Sequence, residues 1–209
     1  MTKDIQVAAD VIASGRVVAF PTGTSYGLAA DALQGHALQR LRNLKGRDVE
    51  KTFTIFLREN VWNEFLQLTD DERNFLHKHK NQAITLLVKP VPAFEYLAQD
   101  GRIGLRVIDH PVMESLAQAV SVPLTATSAN ISGTPACYDI ECIQQNFPGL
   151  LDPADTRHGD ITRAGHTTYD LSLGAILDAG VLPTEGVSTI IRLADDGAPV
   201  IIRPGNVTV

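Results

Sequence analysis

The chain opens with a period close to 3.6. In "DIQVAADVIAS", residues 4–14, Ile5, Ala8, Ala9 and Ile12 share one helical face and Gly15 supplies the stop. The pattern predicts a first helix feeding "RVVAF", a short apolar run closed by Pro21 that reads as a buried strand. A polar turn, "PTGTSYG", follows, and a second helix is carried by Ala37, Leu38, Leu41 and Leu44 as far as "KGRD". Further strand signals are "FTIFL" (53–57), "AITLLV" (83–88), "IGLRV" (103–107), "PLTAT" (123–127), "GAILDA" (174–179), "STIIRL" (188–193) and "VIIR" (200–203). Helix patterns fall between them at 60–67, 71–79, 111–120 and 139–146, the last with Asp139 as its N-cap. Strands and helices alternate at first and strands dominate at the end. This predicts an α/β fold, a mixed sheet with helices on its faces and a ligand crevice at strand ends. From Pro148 to Leu173 no period is clear, so about 148–173 is read as an irregular segment.

Composition narrows the class. A chain of 209 residues, 44% hydrophobic and 20% charged, suits one α/β domain over 1–209. Its apolar runs fall far short of the roughly 20 residues that span a bilayer, and "MTKDIQVAAD" has no basic start leading into an apolar region. No membrane partner and a cytoplasmic address are the expectation. Cys137 and Cys142 lie five apart without a CxxC set, so they are read as two structural or incidental thiols, not as a disulfide framework or a zinc site. The histidines, including "HKHK" at 77–80, read as helix-surface residues, and no metal site is predicted.

A net charge of -6 argues against a protein that coats nucleic acid by global electrostatics. A local basic cleft is a different matter, because Lys45, Arg47, Lys51, Arg106 and Arg203 all sit at or near the ends of predicted elements. In "LKGRDVEK", Lys45, Arg47 and Lys51 crowd one turn. Compensation of a helix dipole explains one or two of these cations and a bound polyanion explains all three. "FPTGTSYGLAADA" offers the hydroxyls of Thr22, Thr24 and Ser25 at a strand end, without the spacing of a phosphate loop. In "LTATSANISGTPA", Ser128 and Asn130 share a face if the chain stays extended. Arg106 interrupts an apolar strand and requires an anionic partner, from the protein or from a ligand. Ser188, Thr189 and Arg203 gather again at strand boundaries.

Taken in order, "VVAFPTGTSYGLAADA", "LKGRDVEK", "AITLLV", "IGLRVIDHPV", "TSANISGTP", "GVSTII" and "IIRPG" resemble the YrdC-like threonylcarbamoyl-AMP synthase family over nearly the whole chain, in its short single-domain form. The family's KxR and SxN signatures correspond to Lys45-Gly46-Arg47 and Ser128-Ala129-Asn130. The resemblance implies a twisted open sheet around a positively charged cavity. It also implies a nucleotidyltransferase that makes threonylcarbamoyl-AMP and pyrophosphate from L-threonine, bicarbonate and ATP, for modification of tRNA at adenosine 37. Mg2+ is expected with the nucleotide, and tRNA or tRNA-modification proteins are the implied partners. The same resemblance places Thr24, Arg106, Ser128 and Ser188 around threonine, and Lys45, Arg47, Lys51, Thr85, Asn130 and Arg203 around the nucleotide. Lys45, Arg47, Ser128 and Asn130 are the implied catalytic set. The chain departs from the family at Gly23, Asp48 and Phe56, where Glu, Pro and His are usual, and its "VSTIIR" lacks a Glu. A YrdC-like nucleotide- or RNA-binding protein without synthase activity is the alternative. A carbamoyl-transfer module of hydrogenase maturation fits less well.

Overall fold

The computed structural model describes residues 3–48, 51–148, 161–163, 166–168, 174–184 and 186–209. The first helix, α1 (Lys3–Ala13), buries Ile5, Ala8, Ala9, Val11 and Ile12, the face its period predicts. β1 (Val18–Pro21) is buried throughout and turns back into β2 (Tyr26–Ala29), pairing from Val18↔Ala29 to Pro21↔Tyr26. The polar turn is therefore shorter than predicted. Its last two residues, Tyr26 and Gly27, open a buried strand of four residues, too short to show a period. α2 (Gly35–Lys45) buries Ala37, Leu38, Leu41 and Leu44, and also Lys45.

Beyond β3 (Ile55–Phe56) the helix predicted over 60–67 is replaced by a 3-10 turn at Glu59–Val61, the single turn α3 (Trp62–Phe65) and β4 (Leu66–Gln67). Leu66 and Gln67 leave the helical path to pair with Pro90 and Lys89 of β5 (Ile84–Pro90). α4 (Asp70–Lys78) starts from a capping box in which Thr69 and Glu72 satisfy each other's backbone N–H groups. There follow β6 (Ile103–Arg106), α5 (Pro111–Ala119), β7 (Leu124–Thr125), β8 (Thr127–Ser128) and α6 (Ile140–Asn146). β9 (Ile161–Arg163) and β10 (His166–Thr168) form a short hairpin within the stretch read as irregular, most of which lies outside the described residues. β11 (Ala175–Ile176), β12 (Thr189–Leu193) and β13 (Pro199–Arg203) complete the chain.

The larger sheet runs β13-β12-β5-β6-β3-β7 with β4 beside β5, and a smaller one runs β11-β1-β2-β8. Both are mixed. β12 lies parallel to β5, β3 to β6 and β1 to β11, while the other pairs are antiparallel. The stretch 124–128 changes sheets: Leu124 and Thr125 pair with β3, and Thr127 and Ser128 pair with β2. Between them Ala126 N–H donates to Thr54 O at 2.7 Å, which pins the crossing point. One core cluster gathers Leu28, Leu41, Ile55, Ile84, Leu86, Leu105 and Ile191; the other joins α1 and α5 around Phe20, Phe56, Met113 and Leu116. The Phe20 and Phe56 rings lie 5.3 Å apart in that second core. Truncating either to Ala would cost about 3–5 kcal/mol.

Cys137 and Cys142 form a disulfide, which corrects their reading as two separate thiols. The Asp139 carboxylate accepts from Cys142 N–H at 2.7 Å and starts α6. Cys137 precedes that cap, so the chain reversal at the cap brings the two Cα atoms to 5.4 Å, within bridging reach.

Candidate active site

A cavity of about 490 Å³ opens where the chain changes sheets. Past β8 the chain bends at once. Ser128 Oγ donates to Asn130 Oδ1 at 2.6 Å, and Asn130 Nδ2 donates to Thr134 O at 2.5 Å. Ser128 and Asn130 do face one another, through a tight turn instead of an extended run.

Lys45 lies beneath this turn, 2% exposed. Its ammonium donates to Ser128 O at 2.5 Å, Asn130 O at 3.0 Å and Asn130 Oδ1 at 2.9 Å, while its carbonyl accepts from Ser132 N–H at 2.7 Å. All three ammonium protons are engaged. Burial first, and the neighbouring Arg47 second, pull its pKa from 10.5 to about 8. Gly46 then closes α2 in the left-handed region, φ 56°, with Arg47 N–H reaching Arg42 O at 3.0 Å in a Schellman-type cap. That cap separates the two cations of the KxR motif. Lys45 points under the loop, whereas Arg47 borders the cavity, 5.0 Å over the Phe53 ring and donating to Thr52 O at 2.7 Å.

Across the cavity Arg106 ends β6, 6% exposed. Its anionic partner is Asp109, 2.5 Å from Nη2, and Asp109 Oδ1 also accepts from Gly23 N–H at 3.1 Å. Asp109 lies three residues beyond Arg106 in "RVIDHP" and was not singled out by the sequence reading; the i, i+3 spacing is the signal that could have found it. A Cβ on residue 23 would lie 2.5 Å from that carboxylate, which accounts for Gly23 where the family usually has a Glu. In the turn after β1, Thr22 Oγ1 donates to Ser25 O at 2.8 Å and sits 3.1 Å from Thr24 Oγ1. The third wall joins Thr85 Oγ1 to Ser188 Oγ at 3.2 Å, and Arg203 Nη2 donates to Ser188 O at 2.7 Å and to its Oγ at 3.1 Å. Gly205 packs behind this wall. A Cβ there would lie 2.3 Å from Val187 O.

Of the residues that the resemblance assigns to threonine or nucleotide, Thr24, Arg47, Thr85, Arg106, Ser128, Asn130, Ser188 and Arg203 border this cavity. Lys45 lies below it. Lys51 is not among the lining residues; it pairs with Asp48 at 3.4 Å on an exposed turn. Phe56 faces the second core, so a polar residue there would have no cavity to face. Tyr26 adds a tie between β2 and the segment after β11. Its hydroxyl donates to Gly180 O at 2.8 Å and accepts from Ala179 N–H at 2.9 Å.

Among the described residues lining the cavity are three arginines and no carboxylate. Burial is the leading cause that lowers the pKa of all three, Arg47, Arg106 and Arg203, and Asp109 counters it at Arg106. Arg106 has Asp109 as its counter-ion, whereas Arg47 and Arg203 have no carboxylate partner among the described residues and so favour an anionic ligand. Among the described residues no group of three or more His, Cys, Asp or Glu could hold a metal ion, and no helix is long and apolar enough to cross a membrane.

The Sua5/YciO/YrdC family model, described as telomere recombination, matches residues 10–205. A threonylcarbamoyl-AMP synthase of Escherichia coli O1:K1 / APEC is 31% identical over 182 residues, covering 77% of this chain and 95% of that protein. P. abyssi Sua5 complexed with L-threonine superposes with a TM-score of 0.75 at 26% identity, over 96% of this chain and 54% of that one. The chain thus spans about half the length of that Sua5. E. coli YciO superposes with a TM-score of 0.75 at 21% identity, over 96% of this chain and 88% of that one, and shares the fold.

Proposed function

The chain belongs to the Sua5/YciO/YrdC family, and on that premise we propose that it is an L-threonylcarbamoyladenylate synthase. As a nucleotidyltransferase it would convert L-threonine, bicarbonate and ATP into threonylcarbamoyl-AMP and pyrophosphate, for modification of tRNA at adenosine 37 in the cytoplasm. The observation that carries this reading is the convergence of Arg47, Arg106 and Arg203 with the hydroxyls of Thr24, Thr85, Ser128 and Ser188 on one cavity.

In this reading Arg106 holds the threonine carboxylate. Asp109 takes only Nη2 of its guanidinium and keeps the fork oriented. Thr24, Ser128 and Ser188 fix the threonine amine and hydroxyl. The amine, once it has given its extra proton to solvent, attacks bicarbonate and water leaves, giving the carbamate. A carbamate oxygen then attacks the α-phosphorus of ATP, and the bond to the β-phosphate oxygen breaks to release pyrophosphate. Arg47 and Arg203 neutralise the phosphates, with Thr85 beside them. Every participant is anionic, so positioned cations and donors supply most of the acceleration and no side-chain nucleophile is needed. Asn130 and Lys45 act on the loop. Lys45 can reach a phosphate only by giving up one of its three acceptors. Among the described residues the lining carries no carboxylate, so Mg2+ would travel on the triphosphate.

Incubation with ATP, L-threonine and bicarbonate tests the proposal. Pyrophosphate should appear only when all three are present, together with a threonylcarbamoyl-adenylate mass. Release without threonine, or none, would overturn it in favour of a nucleotide- or RNA-binding protein without synthase activity.

A further inference from the structure

A second cavity, about 600 Å³, lies between α3, α4 and the chain just beyond β3 and β6, and shares only Arg106 with the first. Arg58, Arg73 and Lys80 line it, and among the described residues none of them has a carboxylate within ion-pair distance. Arg73 donates to the neutral Asn63 Oδ1. Arg58 is half-buried, with its Nε shielded from solvent and without a hydrogen-bond partner, and the Trp62 Nε1 on the same lining is in the same state. Two carboxylates border the space. Glu59 is engaged by His77 Nε2 at 3.4 Å, and Glu114 is the other. Arg106 is already paired with Asp109, and Arg58, Arg73 and Lys80 alone outnumber the two carboxylates, on a chain whose net charge is -6.

We propose that this cavity is a second binding site, for a phosphorylated small molecule. Its volume lies within the range of small-molecule sites, roughly 300–1,000 Å³. Two guanidinium forks and an ammonium around one space match the several oxygens of a phosphoryl group, where a single carboxylate would satisfy only one of them. The half-buried Arg58 is the strongest pointer, because its shielded Nε has no hydrogen-bond partner and its guanidinium no counter-ion among the described residues. The site is independent of the reaction proposed above and needs no turnover to be observed.

Trp62 is the chain's only tryptophan and borders this cavity, so its emission reports on the site. The full chain would be titrated with inorganic pyrophosphate while Trp62 fluorescence is followed. A saturable change is expected. It should persist in Arg47→Ala, which disables the other cavity, and weaken at least tenfold in the double variant Arg58→Gln, Arg73→Gln. Lys80→Gln, on an exposed side chain that folding does not need, should weaken it about threefold. Either absence of a saturable change, or a change that survives these substitutions and vanishes in Arg47→Ala, would overturn the proposal.

Discussion

In the folded chain the Lys45 ammonium loses its proton near pH 8, against 10.5 for a lysine in water. Between those two values the unfolded chain still holds a proton that the folded chain has released. Rising pH therefore opposes unfolding, and stability climbs through the window and levels off above 10.5. At about 1.4 kcal/mol per pH unit the full window is worth about 3 kcal/mol. Urea unfolding of the wild type and of Lys45→Met from pH 7 to 11 isolates this contribution, because both proteins share every other titrating group. Lys45→Met should be the less stable at every pH, since Ser128 O, Asn130 O and Asn130 Oδ1 lose their donor. The wild-type advantage should be flat below about pH 7.5 and grow by about 3 kcal/mol towards pH 10.5. An advantage that stays flat or shrinks would show that the three oxygen acceptors hold the ammonium charged and that burial does not dominate. A bound polyanion in the cavity should raise the Lys45 pKa and flatten the same curve.

Gly205→Ala places a methyl against the backbone of Val187, Ser188 and Thr189, so the chain entering β12 must shift. The threonine KM in the pyrophosphate-release assay should rise about tenfold with a stability loss of about 1–3 kcal/mol, and an unchanged KM would remove Ser188 from the threonine site. Reducing the Cys137–Cys142 disulfide removes a short loop constraint worth about 2 kcal/mol, read as a lower urea midpoint; Cys142→Ser should lose the same amount and no longer respond to reductant.

Local pattern alone placed α1, α2, α4, α5, β5 and β12, because each buries a regular stripe whose period appears in the residues themselves. It also drew attention to the cations of "LKGRDVEK" and to Ser128 and Asn130 sharing a face, but only the family resemblance read Lys45-Gly46-Arg47 and Ser128-Ala129-Asn130 as site motifs. β2 and β4 escaped it. Both are short, and what makes them strands is a partner, β1 or β5, not a pattern. The direction of Lys45 escaped it too: a lysine at a helix end reads as solvated until Asn130, 85 residues later, is folded over it. The sheet change at 124–128, the bridging of Cys137 to Cys142 and the cavity beside Trp62 belong to the same class. The sequence by itself determined which groups had to be buried, turned or charged, because those are properties of neighbours along the chain. Only the tertiary structure decided which group each of them meets, because distant segments become neighbours only when the two sheets close on one another.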